Sequence, residues 1–154
     1  MLSTESTAQQ ANGAELNIHI STEVTDIIEL ITLREIEIGR VQSGQEHVEI
    51  NPQTDARAGL MLATGRPEAS IRISFIETLE LTQSSSGRSI AFTYQVSGNH
   101  TDDQATSEFL GAENRDFTFN EEGHFYFWIG GYADISGVPG GQYNGEFTIE
   151  IEYN

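Results

Sequence analysis

Along most of this chain apolar and polar residues take turns with a period of two, the rhythm of a strand with one face hidden and one face wet. From Ala14 to Ile20, Leu16, Ile18 and Ile20 fall on one side and Glu15, Asn17 and His19 on the other. The same alternation returns in Ala69–Phe75, at Leu79 and Leu81, from Ile90 to Val96, and at Phe117 and Phe119. It closes the chain, where Tyr143, Phe147, Ile149, Ile151 and Tyr153 share one parity and Glu146, Thr148, Glu150 and Glu152 the other. Turn chemistry punctuates these runs at Asn51-Pro52, Gly65-Arg66-Pro67, Gln83–Arg88, Gly98-Asn99 and Val138-Pro139-Gly140-Gly141, and Gly130-Gly131 is read as ending a strand.

Two segments need separate treatment. Over residues 24–38 the spacing of Val24, Ile27, Ile28 and Ile31 admits a helix, but the density of β-branched residues predicts strands at 26–31 and 34–38 instead. His124–Ile129 is apolar on both faces, with Phe125, Phe127 and Ile129 on one side and Tyr126 and Trp128 on the other. Such a strand is central in its sheet or turns its second face to a partner. Residues 99–115 have no period and read as the longest surface loop, and residues 1–13 as a polar tail available for an intersubunit contact. Roughly eight to ten short strands without a convincing helix predict one all-β domain over 14–154, an immunoglobulin-like or pilin-like two-sheet sandwich.

Composition narrows the function. The 154 residues carry 24 acidic side chains against 7 basic ones, all arginine, for a net charge of -17. A surface this negative repels phosphate backbones and anionic lipid heads, so nucleic-acid and membrane-surface binding are not expected. With no lysine and the acids scattered singly through the strands, the balance suits a protein kept soluble at high salt, an acidic halophilic type, with a calcium-rich or simply acidic extracellular surface as the other reading. The absence of cysteine removes disulfides, thiolate nucleophiles and cysteine zinc sites. No run reaches the ~20 apolar residues of a membrane helix. The start MLSTESTAQQANG lacks the basic region and apolar core of a signal peptide.

Chemistry-bearing patterns are sparse. His19, His47, His100 and His124 stand too far apart for a paired metal motif. No Gly-x-Ser-x-Gly elbow exists, and Ser84, Ser85 and Ser86 lie in a loop that would hold a nucleophile poorly. Glu146, Glu150 and Glu152 alternate with core positions, which is the placement of a solvated face. The chain is therefore read as a non-enzyme without a cofactor. Calcium is the one metal its acids invite, through Asp102, Asp103, Glu113, Asp116, Glu121 and Glu122 in or beside turns. Asn99-His100-Thr101 fits the N-glycosylation acceptor pattern, a short motif of little weight.

The closing segment Val138-Pro139-Gly140-Gly141-Gln142-Tyr143-Asn144-Gly145-Glu146-Phe147-Thr148-Ile149-Glu150-Ile151-Glu152-Tyr153 resembles that of the bacterial exported domain of unknown function 4402 family, related to pilin-like and spore-coat-like β-sandwich subunits. Leu16–Ile20 looks like the family's opening strand, and Leu33–Val41 and Pro67–Ile73 look like later segments, in the same order. The resemblance implies a secreted, cell-surface protein with a structural role, and its relatives are not known for catalysis. Pilin-like sandwiches commonly assemble by β-strand addition, which makes other copies of the chain the expected partners in a pilus or fimbrium. The polar tail at 1–13 joined to residues 14–20 is then the candidate donor, with Leu16, Ile18 and Ile20 as plugs and Phe125, Phe127, Phe147, Ile149 and Ile151 lining the acceptor. Two alternatives stay open: residues 14–20 as the first strand of their own domain, and a monomeric carbohydrate-binding module using Tyr126 and Trp128 as a stacking platform.

Overall fold

The computed structural model describes residues 13–24, 27–42, 44–111 and 115–154. Its strands are β1 (Ala14–Val24), β2 (Glu29–Arg34), β3 (Gly39–Arg40), β4 (His47–Ile50), β5 (Gly59–Thr64), β6 (Ser70–Phe75), β7 (Thr78–Thr82), β8 (Ser89–Asn99), β9 (Glu108–Leu110), β10 (Arg115–Thr118), β11 (His124–Asp134) and β12 (Gly141–Tyr153). The only helical piece among the described residues is a 3-10 turn at Gln104–Thr106. The fold is all-β, as the alternation requires.

The strands form one curled, mixed sheet in the order β10-β6-β12-β7-β8-β11-β5-β2, a half-barrel consistent with a generic β-sandwich. Branching from this path, β1 lies beside β12 and β3, β4 beside β11, and β9 beside β8. All the pairings are antiparallel except that of β1 with β12, which is parallel over eleven residues, Ala14 with Gly141 through Val24 with Ile151. The inner faces are built from the apolar parity of each strand: Leu16, Ile18 and Ile20 from β1, Phe147, Ile149 and Ile151 from β12, Phe92 and Tyr94 from β8, Phe125 and Phe127 from β11. Aromatic rings cross the core: Phe147 lies 4.6 Å from Tyr94 and 5.6 Å from Phe75, and Phe117 stacks on Phe125 at 4.7 Å. The opposite parity of β12 places Glu146, Glu150 and Glu152 in solvent.

Three local expectations change. The predicted strands at 26–31, whose first residue lies outside the described residues, and at 34–38 give way to one strand, β2, followed by a stretch without regular pairing from Glu35 to Ile38; within it Ile36 is still buried, and the Glu37 N–H donates to the Arg57 carbonyl. Burial alternates there without a neighbouring strand to extend the ladder. Residues 99–115 contain the 3-10 turn and β9, fastened inward by Gln104, whose Nε2 donates to the carbonyls of Pro52 and Asp55, each at 2.8 Å. Third, Gly130-Gly131 does not end β11, which continues to Asp134. At this glycine pair β11 exchanges one neighbour, β5, for another, β4. A Cβ on Gly130 would stand 2.1 Å from the Ile50 carbonyl oxygen, and one on Gly131 2.2 Å from that of Thr93. The glycines permit a close crossing of backbones; they do not break the strand.

Candidate functional site

Of the residues singled out for subunit contact, the structure brings the β1 and β12 sets together. Leu16 pairs with Tyr143, Ile18 with Gly145 and Ile20 with Phe147. All three β1 side chains are buried in their own domain, and Ile20 and Ile36 both reach over Gly59 of β5. Burying a side chain of this kind contributes roughly 1.5–3 kcal/mol, so β1 is a principal holder of this fold. Ile149 and Ile151 lie farther along the same ladder, opposite Thr22 and Val24. Phe125 and Phe127 belong to β11, which has no ladder with β1; they pack with Phe117 of β10. Tyr143 is the residue that the proposed lining missed. It is buried opposite Leu16 and its hydroxyl donates to the Pro139 carbonyl at 2.9 Å. Its parity marked it as a core position, but nothing in the sequence says which strand stands beside it.

The edges bear on assembly too. Beyond its short contact with β3 at Glu15 and Leu16, β1 has no second strand partner among the described residues, and β2 ends the ladder path with only β5 beside it. The predicted tail, apart from Gly13, lies outside the described residues.

His19 and His47 are exposed, as is His100, whose Nε2 lies 2.9 Å from the Thr118 carbonyl oxygen; His124 is half-buried beside Tyr126. The shortest ion pair among the described residues is a turn clamp. Arg57 donates Nε to Asp55 Oδ1 at 3.0 Å and a terminal nitrogen to Oδ2 at 2.7 Å, and those hydrogen bonds hold the Asp55 carboxyl below its ordinary range. Among the described residues no three His, Asp or Glu side chains gather as a metal-holding group. Of the calcium candidates, Asp102 and Asp103 follow β8, Glu121 and Glu122 lie in the turn before β11, and Asp116 pairs with Arg72 Nε at 3.2 Å. Glu113 lies outside the described residues.

The aromatic platform is only half present. Tyr126 is half-buried, and Trp128 is 1% exposed. Ser97, opposite Trp128 in the ladder, accepts a hydrogen bond from the Ser107 hydroxyl at 2.8 Å, which ties the 104–107 segment onto this face. β11 is thus apolar on both sides because it is central, flanked by β8 and by β5 and β4. At one end of the domain an open groove of about 1000 Å³ runs between Ile27, Leu30, Thr64, Pro67 and Tyr153. The Arg66 guanidinium lies over the Tyr153 ring at 4.2 Å, and the Arg66 N–H donates to the Tyr153 hydroxyl at 2.9 Å.

One buried polar group stands apart. The Tyr94 hydroxyl has no partner among the described residues, and burial pushes its pKa far above the ordinary phenol range. A buried hydroxyl left unbonded costs about 1–3 kcal/mol, so Tyr94→Phe is expected to stabilise the domain by about 1 kcal/mol. The raised folded-state pKa adds a pH signature. Its stabilisation is complete below the unfolded value near 10 and is lost as pH rises beyond that value. The advantage of Tyr94→Phe in thermal melts should therefore widen between pH 7 and pH 11, by about 1.4 kcal/mol. A variant less stable than the parent at neutral pH would show that the hydroxyl is bonded after all.

No family model matches the chain, and no curated protein matches it.

Proposed function

We propose that this domain is a structural subunit of a cell-surface filament, assembled by passing β1 from one copy to the next. The observation that carries the reading is the position of β1. It is the first described strand and fills the place beside β12 with Leu16, Ile18 and Ile20, and its single long ladder is that parallel one. A strand held in this way keeps the same hydrogen bonds and buried side chains when it comes from a neighbour, so exchange costs little once the connection to β2 opens. The chemistry of the surface fits a structural role: Arg57 and Asp55 clamp a turn, and Glu146, Glu150 and Glu152 form a solvated face. Head-to-tail exchange generates fibres where the rotation between copies does not close into a ring. The resemblance to an exported, pilin-like family points the same way, toward a secreted location.

A net charge of -17 on each copy opposes assembly at low salt. Screening shortens the reach of that repulsion from ~10 Å at 0.1 M to ~3 Å at 1 M, so fibres are expected to form at high ionic strength. The chain has no cysteine, which allows a clean cross-linking experiment. Asn17 and Asn144 are exposed partners in the β1–β12 ladder. Oxidising Asn17→Cys/Asn144→Cys under fibre-forming salt should give a ladder of covalent oligomers on a non-reducing gel, with fibres of uniform width by electron microscopy. Internally bridged monomers alone, without fibres at any salt concentration, would overturn the proposal.

A further inference from the structure

We propose that β2 is a self-pairing edge, along which a second copy of this chain docks antiparallel about a twofold axis through Ile31. This contact is separate from the exchange of β1 and does not depend on it.

Soluble proteins usually blunt an open strand edge with lysine, proline or a charge turned inward. β2 has neither lysine nor proline, and its Ile31 and Leu33 are 39% and 50% exposed. Among the described residues no strand lies on its outer edge.

The register explains why the partner is another copy. Glu29 pairs with Thr64, Leu30 with Ala63, Ile31 with Leu62 and Thr32 with Met61, but it is Arg34 that meets Leu60. Leu33 is the additional residue of a bulge. Without it Glu29 and Arg34 would lie on opposite faces; with it Glu29, Ile31 and Arg34 share the face that carries Thr64, Leu62 and Leu60. When two such strands run antiparallel with Ile31 opposite Ile31, Glu29 of each copy faces Arg34 of the other. Symmetry makes that pair twice, and every residue keeps its face, as a twofold axis through a sheet requires. The Arg34 Nε donates to the Ala58 carbonyl at 3.1 Å, which fixes the base of its guanidinium beside β5.

The edge strand itself is charge-balanced, one acid against one base, in a chain whose net charge is -17. A surface that complements itself in both charge and apolar contact selects its own copy ahead of an unrelated acidic or basic partner. Remote repulsion weakens with salt, so the pairing tightens as ionic strength rises.

Analytical ultracentrifugation of the non-fibrous protein at high salt is expected to show a reversible dimer. Glu29→Arg and Arg34→Glu, studied singly, each place like charges opposite one another twice and should weaken the dimer about tenfold. Mixed in equal amounts, the two variants should recover that tenfold as a heterodimer, because each faces its complement. Ile31→Lys, at an exposed position whose loss leaves the core intact, should abolish the dimer while thermal melting stays unchanged. It also keeps the test valid if Arg34→Glu fails to fold without its bond to Ala58. A monomeric parent protein, a mixture no tighter than its separate components, or a persistent Ile31→Lys dimer would each overturn the pairing. Fibre formation is read separately by microscopy, so loss of the dimer with fibres intact leaves the exchange of β1 standing.

Discussion

Phe147→Ala will destabilise the domain by about 3–5 kcal/mol, a large share of the 5–15 kcal/mol that holds a typical domain together. Phe147 is fully buried where three parts of the core meet. It stands opposite Ile20 in the β1–β12 ladder, and its ring lies against Tyr94 and Phe75. Truncation removes the transfer energy of the ring and leaves a cavity between strands that cannot close up, because backbone ladders fix their spacing. The midpoint of thermal unfolding should fall by roughly 6–20 °C, at about 2–4 °C per kcal/mol for a chain of this length. The same loss removes the surface against which Ile20 packs, so fibre yield at high salt should fall with stability. A shift of only a degree or two would mean that the core does not converge on this ring.

The second large effect is expected at a position with no side chain to remove. Gly130→Ala adds one carbon at 2.1 Å from the Ile50 carbonyl oxygen and 3.1 Å from the Pro52 nitrogen. The obstacle is backbone on both counts, so no rotamer change relieves it, and either β4 or β11 must move. We expect a cost of about 3 kcal/mol, at the upper end of the range for overpacking. Because β4 depends on this crossing for its ladder, hydrogen exchange at Val48 and Ile50 should quicken more than exchange in β12. A urea titration with an unchanged midpoint would show that the two backbones do not approach so closely.

Both effects connect stability to the proposed role. A subunit that passes β1 to a neighbour needs an acceptor surface that stays ordered during the exchange, and Phe147 provides part of it. β4 and the glycine crossing serve the opposite branch of the sheet, so Gly130→Ala should lower stability without selectively impairing exchange. Comparing fibre yield in the two variants at equal stability separates the acceptor function from general fragility.

The sequence by itself determined which residues are inside. The parity of Leu16, Ile18 and Ile20, of Ile71 and Ile73, and of Phe147, Ile149 and Ile151 could be read directly, because a strand sends successive side chains to opposite faces whatever stands beside it. It also marked Glu146, Glu150 and Glu152 as solvated, and β11, from the grease on both its faces, as either central or turned toward a partner, of which the structure shows the central place. Only the tertiary structure decided who pairs with whom. Period two is the same for parallel and antiparallel neighbours, so nothing local announced that the first strand lies parallel to the last. The glycine pair in β11 looked like a stop because a turn and a close backbone crossing ask for the same residue. The bulge at Leu33, which sets Glu29 and Arg34 on one face, exists only relative to β5. Inside and outside are fixed residue by residue; partners, register and open edges depend on contacts between segments distant in the chain, and those arise only when the sheet closes.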